Sequence, residues 1–204
     1  MNICLNNLTK SINHKDILNN LSFNFISPNL YIIKGNNGAG KTTLLCILSL
    51  LDLNFSGDFL IDNVNIKKLS KKEISDYKRS QITILFSKGN LISYLNVREN
   101  TYLLSKNNDF DLTFLQNIIN EDANTLSGGE EIQVALNCEI AKNKELILLD
   151  EVTSSLDLDN FNTIMNKLIE VAKEKLIILV SHDQRTYNYG TLLELKNGKL
   201  STCH

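Results

Sequence analysis

Residues 35–42 read GNNGAGKT: Gly35, Asn36, Asn37, Gly38, Ala39, Gly40, Lys41 and Thr42, with a second threonine at Thr43. The preceding run, residues 30–34 (LYIIK), is apolar and β-branched; the following run, residues 41–51, has apolar residues at helical spacing. A strand, a glycine-rich loop and a helix in that order aim successive main-chain N–H groups at one point, beside the positive end of the helix. Gly35, Gly38 and Gly40 let the loop curl. The spacing G-x-x-x-x-G-K-[ST] therefore predicts a cradle for nucleotide phosphates. In it the loop amides of residues 35–43 face the phosphates, Lys41 reaches the β- and γ-phosphates, and the Thr42 hydroxyl ligates Mg²⁺.

Outward from this loop, further runs read as strands: residues 17–26, 59–61, 81–86, 146–149, 176–180 and 192–196. Residues 146–149 and 176–180 are continuously apolar, as in strands buried on both faces of a parallel sheet. Helical patterns cover residues 97–105, 112–120, 128–142 and 159–173. Strands alternating with helices predict an α/β fold. Residues 87–144 show helical patterns and no strand, which predicts a helical insertion between core segments at about 1–86 and 145–204. Asn197 and Gly198 lie between two extended runs and mark a hairpin, and Pro28 with Asn29 marks a turn before residues 30–34.

The chain has 204 residues and a formal net charge of -2, without the basic excess that nucleic-acid binding calls for. The N-terminus, MNICLNNLTK, has no secretory-signal pattern, and no apolar run approaches the roughly 20 residues of a membrane span. These features predict a cytosolic chain unless a partner holds it at a membrane. Cys4, Cys46, Cys138 and Cys203 form no CxxC pair, so neither a metal nor a disulfide framework is expected. Cys46 and Cys138, among apolar neighbours, read as small core residues; Cys203 and His204 read as a frayed end.

Two more stretches carry chemistry. The apolar run 146–149 ends in Asp150 and Glu151, placing two carboxylates at the carboxyl edge of the sheet, where α/β ligand sites form. Asp150 suits Mg²⁺ through its water shell, and Glu151 suits the attacking water. Residues 126–130 read LSGGE, and Ser127, Gly128 and Gly129 open a helical pattern, a second place with free N–H donors for an anion.

The order GNNGAGKT, LSGGE, LILLDE, SSLD, VSHD resembles the nucleotide-binding subunit of an ATP-binding-cassette (ABC) transporter over nearly the whole length. The resemblance implies a P-loop NTPase core with a mixed, largely parallel sheet, N-terminal antiparallel strands and an inserted helical subdomain. It implies an ATPase using ATP and Mg²⁺, paired head to tail with a second nucleotide-binding subunit and attached to a transmembrane permease. Ser127, Gly128 and Gly129 would then contact the γ-phosphate of the partner's nucleotide, Asp157 would line the dimer interface, and His182 would contact the γ-phosphate and support Glu151 or the attacking water. The resemblance also implies that Leu91, Ile92, Tyr94 and Leu95 meet the permease. The compact chain resembles exporter subunits for peptides, lipoproteins or haem.

Some positions depart from the family pattern. Ser87 stands where a metal-ligating glutamine is usual, and serine is a shorter candidate ligand. Ile12 stands where an aromatic residue stacks on adenine, which leaves apolar contact without stacking. Ile132, Gln133 and Cys138 stand where a glutamine–arginine run and a later arginine are common. A non-transport ABC protein and a partly degenerate regulatory cassette are the alternatives that these features leave open.

Overall fold

The computed structural model of the chain describes residues 1–86, 91–105 and 115–203. The chain opens with two long strands, β1 (Asn2–Ile12) and β2 (Lys15–Ile26), followed by β3 (Asn29–Lys34) and helix α1 (Lys41–Leu48). Strands β4 (Ser56–Ile61) and β5 (Val64–Asn65), helix α2 (Lys71–Gln81) and strand β6 (Ile82–Leu85) come next. Then follow α3 (Val97–Ser105), α4 (Gly128–Ala141), β7 (Leu146–Asp150), α5 (Leu158–Val171), β8 (Leu176–Val180), β9 (Thr191–Lys196) and β10 (Lys199–Thr202).

Two sheets result. An antiparallel sheet runs β2-β1-β4-β5, and a six-stranded sheet runs β10-β9-β3-β8-β7-β6. In the second sheet β9, β3, β8, β7 and β6 are parallel, and only β10 turns back on β9. Alternation along β3 explains the layering. Tyr31 and Ile33 face one side with Leu44, Leu45, Ile47 and Leu48 of α1 and with Leu5, Phe25 and Phe59 of the antiparallel sheet. Leu30 and Ile32 face the other, with Ile132 and Leu136 of α4 and Phe161, Ile164 and Leu168 of α5. Helix α1 is thus apolar on most sides because it lies between two sheets. Truncating one of its fully buried leucines to alanine is worth about 2–5 kcal/mol.

The sheet order puts β3, β8 and β7 side by side, so three loops leave its carboxyl edge together. They are the loop before α1, the one after β7, and the one after β8. This is where ligand sites form in such sheets.

Several expectations need correction. The helix expected over residues 41–51 stops at Leu48, and Leu50 adopts a left-handed φ of 59°. Gln81 closes α2 and does not open β6. In the helix expected over residues 112–120, positions 112–114 lie outside the described residues, and 115–120 form a short 3-10 start and turns. Cys46 is half-buried, whereas Cys138 is buried beside Val97, Leu115 and Val134. Cys203 is tied down, its main-chain N–H donating to Leu192 O at 2.9 Å. No strand is found among the described residues between 91 and 144, only an isolated bridge between Asn96 and Asp122.

Candidate active site

The loop from Gly35 to Gly40 is shaped by its glycines and by Lys41. Gly40 caps α1 with φ 98°, and a Cβ there would meet Ile17 Cγ2 at 2.9 Å, so a side chain would be both strained and crowded. The Lys41 side chain folds back into the loop. Its Nζ donates to Gly35 O at 2.7 Å and to Asn36 O at 3.3 Å, and it stands 3.9 Å from Glu151 Oε1. Lys41 is 8% exposed, so its charge acts in a weakly screened setting.

At the head of α1, Thr42 Oγ1 donates to Asp150 Oδ2 at 3.0 Å. Asp150 is the last residue of β7 and is buried; its Oδ1 has no hydrogen-bond partner. Burial raises its pKa, the Thr42 hydroxyl opposes that, and the neighbouring Glu151 carboxylate adds to it. A hydroxyl, a buried carboxylate and an unpaired carboxylate oxygen are hard donors that fit a divalent cation. No group of three or more His, Cys, Asp or Glu surrounds this point among the described residues. Mg²⁺ fits such a partial set, because it takes its remaining ligands from phosphate oxygens and water.

Glu151 follows in an unusual backbone state, with φ 56°. Its N–H donates to Val180 O at 2.9 Å, carrying the β7–β8 ladder one residue beyond the strands. Glu151 Oε2 accepts the His182 main-chain N–H at 3.1 Å and lies 2.7 Å from His182 Nδ1. Left-handed backbone under a carboxylate held by two neighbours, His182 and Lys41, is local strain that the surrounding contacts keep in place. Beneath the pair, the buried hydroxyls of Thr153 and Ser181 lie 3.1 Å apart and join the two loops.

Sequence reading missed Arg185. Its guanidinium stands 4.3 Å from the Phe161 ring, pairs with Asp183 at 2.8 Å, and donates to Leu156 O at 3.1 Å. It thereby holds the Glu151–Asp157 loop against α5. The Arg185 carboxylate partner two residues upstream was a readable signal; the Phe161 and Leu156 contacts were not.

These groups share a cleft of about 490 Å³, lined by Lys41, Thr42, Thr43, Asp150 and Glu151 together with Asn37, Gly38 and Gly40. Ile12 and Ile17 form its apolar wall. Ile12 is 45% exposed, so an apolar face stands where the family pattern expects an aromatic ring. His182 lines an adjoining cavity with Asn36 and Asn37. Ser87 lies outside the described residues.

Ser127, Gly128 and Gly129 do not line that cleft. Ser127 caps α4 in a reciprocal box: its Oγ accepts from Glu130 N at 3.3 Å, and its own N–H and hydroxyl donate to Glu130 Oε2 at 2.8 and 2.7 Å. A Cβ on Gly128 would meet nothing within 4 Å, so the main chain there is open to an approaching group. Asp157 caps α5 by accepting Asn160 N–H at 2.8 Å. Leu91, Ile92 and Leu95 are half-buried, whereas Tyr94 is 82% exposed.

Comparison with known proteins agrees with this geometry. A family model described as ABC transporter matches residues 18–154. The lipoprotein-releasing system ATP-binding protein LolD of Buchnera aphidicola is 32% identical over 214 residues, covering 95% of this chain and 93% of that protein. The macrolide export ATP-binding/permease protein MacB of Campylobacter jejuni is 31% identical over 216 residues, covering 97% of this chain; the chain spans only 33% of that protein. The phosphonates import ATP-binding protein PhnC of Fusobacterium nucleatum is 34% identical over 219 residues, covering 95% of this chain and 88% of that protein. Among solved structures, the dimeric bacterial ABC transporter cassette MJ0796 superposes with a TM-score of 0.83 at 29% identity, covering 98% of this chain and 96% of that one. A dimeric post-hydrolysis state of the same cassette, bound to ADP and Pi, matches with a TM-score of 0.83 at 28% identity and covers 99% of both chains. The chain therefore belongs to the ABC transporter family, as an ATP-hydrolysing nucleotide-binding cassette.

Proposed function

We propose that this chain energises a transporter as one of two nucleotide-binding subunits, each supplying half of every ATP site, and that a separate membrane permease carries the transported compound. The observation that supports this most is the separation just described. The phosphate loop, Asp150 and Glu151 share one cleft, while Ser127–Gly129 open a helix N-terminus that does not line it. A head-to-tail pair brings the two halves together.

In that arrangement Lys41 and the main-chain donors of residues 35–43 hold the phosphates, and Ile12 and Ile17 give the base an apolar wall. Thr42 and Asp150 would hold Mg²⁺, with Ser87 as a further candidate donor; bound there, the ion would supply neutralisation of the phosphates' negative charge. Glu151 takes the proton of the attacking water, whose oxygen bonds to the γ-phosphorus as the bond to the β-phosphate oxygen breaks. His182 keeps the Glu151 carboxylate aimed. Ser127, Gly128 and Gly129 of the second subunit donate to the γ-phosphate and complete the cage. Hydrolysis then depends on closure of the pair, a two-state motion able to drive a permease.

In this reading the chain is one ATPase domain, with residues 87–144 as its helical part and Leu91, Ile92, Tyr94 and Leu95 as its permease-facing patch. No helix among the described residues is long and apolar enough to cross a membrane; in this reading the chain attaches to the inner membrane face through the permease. Export of a peptide, lipid or similar compound is the direction we favour, supported by likeness to LolD and MacB; PhnC, an importer, is comparably similar.

The test is purification from native membranes through a tag on this chain. The expected result is co-purification with a membrane-spanning protein and an ATPase rate that depends on it. Recovery with ribosomes or DNA and without a membrane protein would contradict the transporter reading.

A further inference from the structure

One cluster outside the cleft links the two surfaces that the second subunit would meet. Asn160, in the first turn of α5, donates from Nδ2 to Asp157 Oδ2 at 3.0 Å, while its main-chain N–H donates to Asp157 Oδ1. Its Oδ1 accepts from Nε2 of Gln133 on α4. The same amide packs against the first turn of α4: a Cβ on Gly129 would come within 2.6 Å of Asn160 Nδ2. Gln133 is 8% exposed, so this bond is little exchanged with water.

We propose that Asn160 is a positioning residue for the shared ATP site, an amide relay that fixes Gly129 and Asp157 to each other so that both meet the second subunit in one docking event. The proposal rests on the two-subunit reading above. Its physical basis is that one planar amide uses its acceptor on α4 and its donor on the α5 cap, while its Nδ2 and Cγ occupy the space a Gly129 side chain would take. Loss of the amide frees the α4 end to move relative to Asp157 without touching Lys41, Asp150 or Glu151. Docking two surfaces that are no longer mutually fixed then costs ordering entropy at the moment of association.

Three chains, each carrying Glu151→Gln to slow hydrolysis, test this: the parent, Asn160→Ala, and Asn160→Asp. The last keeps the shape and the main-chain cap but sets a second carboxylate against Asp157. The measurements are binding of a fluorescent ATP analogue to monomers and sedimentation of the Mg²⁺-ATP-dependent dimer. The expected result is unchanged monomer binding with dimers weakened at least tenfold in both variants. Gln133→Ala should weaken the dimer in the same direction, and adding it to Asn160→Ala should cost nothing further. Dimers as tight as the parent's in the Asn160→Ala and Asn160→Asp chains would overturn the relay alone. A parent that stays monomeric with Mg²⁺-ATP would overturn the two-subunit reading and the relay with it.

Discussion

The carboxylate of Glu151 is held twice by His182, whose Nδ1 lies 2.7 Å from Oε2 and whose main-chain N–H reaches the same oxygen at 3.1 Å. One oxygen is thereby fixed, and the other faces the Lys41 side at 3.9 Å. The pairing predicts unequal effects. Glu151→Gln removes the proposed base and should lower the hydrolysis rate by roughly 10²–10⁴-fold, the usual worth of general base catalysis. His182→Ala removes the ring and leaves the main-chain donor, so a smaller loss is expected, with ATP binding unchanged. Phosphate-release assays beside equilibrium ATP binding check both.

Asp150 ties stability to pH and to metal. Burial raises its pKa in the folded chain, with Glu151 adding and Thr42 opposing. Folding then disfavours the ionised form, a cost fully present above the raised pKa and gone below the ordinary carboxylate value of about 3.9. Asp150→Asn should therefore raise the melting temperature of the ligand-free protein at pH 7–8, and the gap should close as pH falls toward that value. Mg²⁺-ATP should stabilise the parent more than the variant. Thermal melts across pH, with and without Mg²⁺-ATP, check each sign.

Glu130 occupies the Ser127 hydroxyl in the resting chain, donor to acceptor at 2.7 Å, and that hydrogen bond holds its pKa below the ordinary value. An ionised carboxylate beside a γ-phosphate site repels the ligand. Glu130→Gln keeps a capping-box side chain at the same position while removing the charge. At about 1 kcal/mol for charges roughly 4 Å apart in water, ATP-dependent dimers should form at about fivefold lower ATP. Titration of dimer fraction against ATP measures this.

The two glycines at the start of α4 should separate stability from activity. Gly129→Ala drives a methyl into Asn160 and should cost about 1–3 kcal/mol. Gly128→Ala meets open space and should leave stability within about 0.5 kcal/mol, yet it places a methyl where the second subunit's nucleotide would approach. Urea unfolding and ATPase rates on both variants read the contrast.

The legibility of the sequence varied with how local each cause was. The loop before α1, the apolar strands β7 and β8, the carboxylates at the end of β7 and the cap of α4 all rest on near neighbours, and each was readable. Strand β1 was not. Ile3, Leu5, Leu8 and Lys10 are buried, but Asn7 has φ 49° and the pairing register shifts between Leu5 and Leu8, so the alternation changes parity midway. Helix α2 was not read either: it has no fully buried residue, and only Ile74 and Tyr77 pack half-buried against the core, too short an apolar stripe to stand out. The Gln133–Asn160 link joins residues on different helices, and no sequence pattern shortens that distance.

In the proposed mechanism one chain holds only half of a working ATP site. Sedimentation of the Glu151→Gln chain at saturating Mg²⁺-ATP and, separately, Mg²⁺-ADP tests it most directly. The expected result is a species of twice the 23.0 kDa chain mass with ATP and a single chain with ADP. A 23.0 kDa species at saturating ATP, bound to nucleotide and still unpaired, would contradict it.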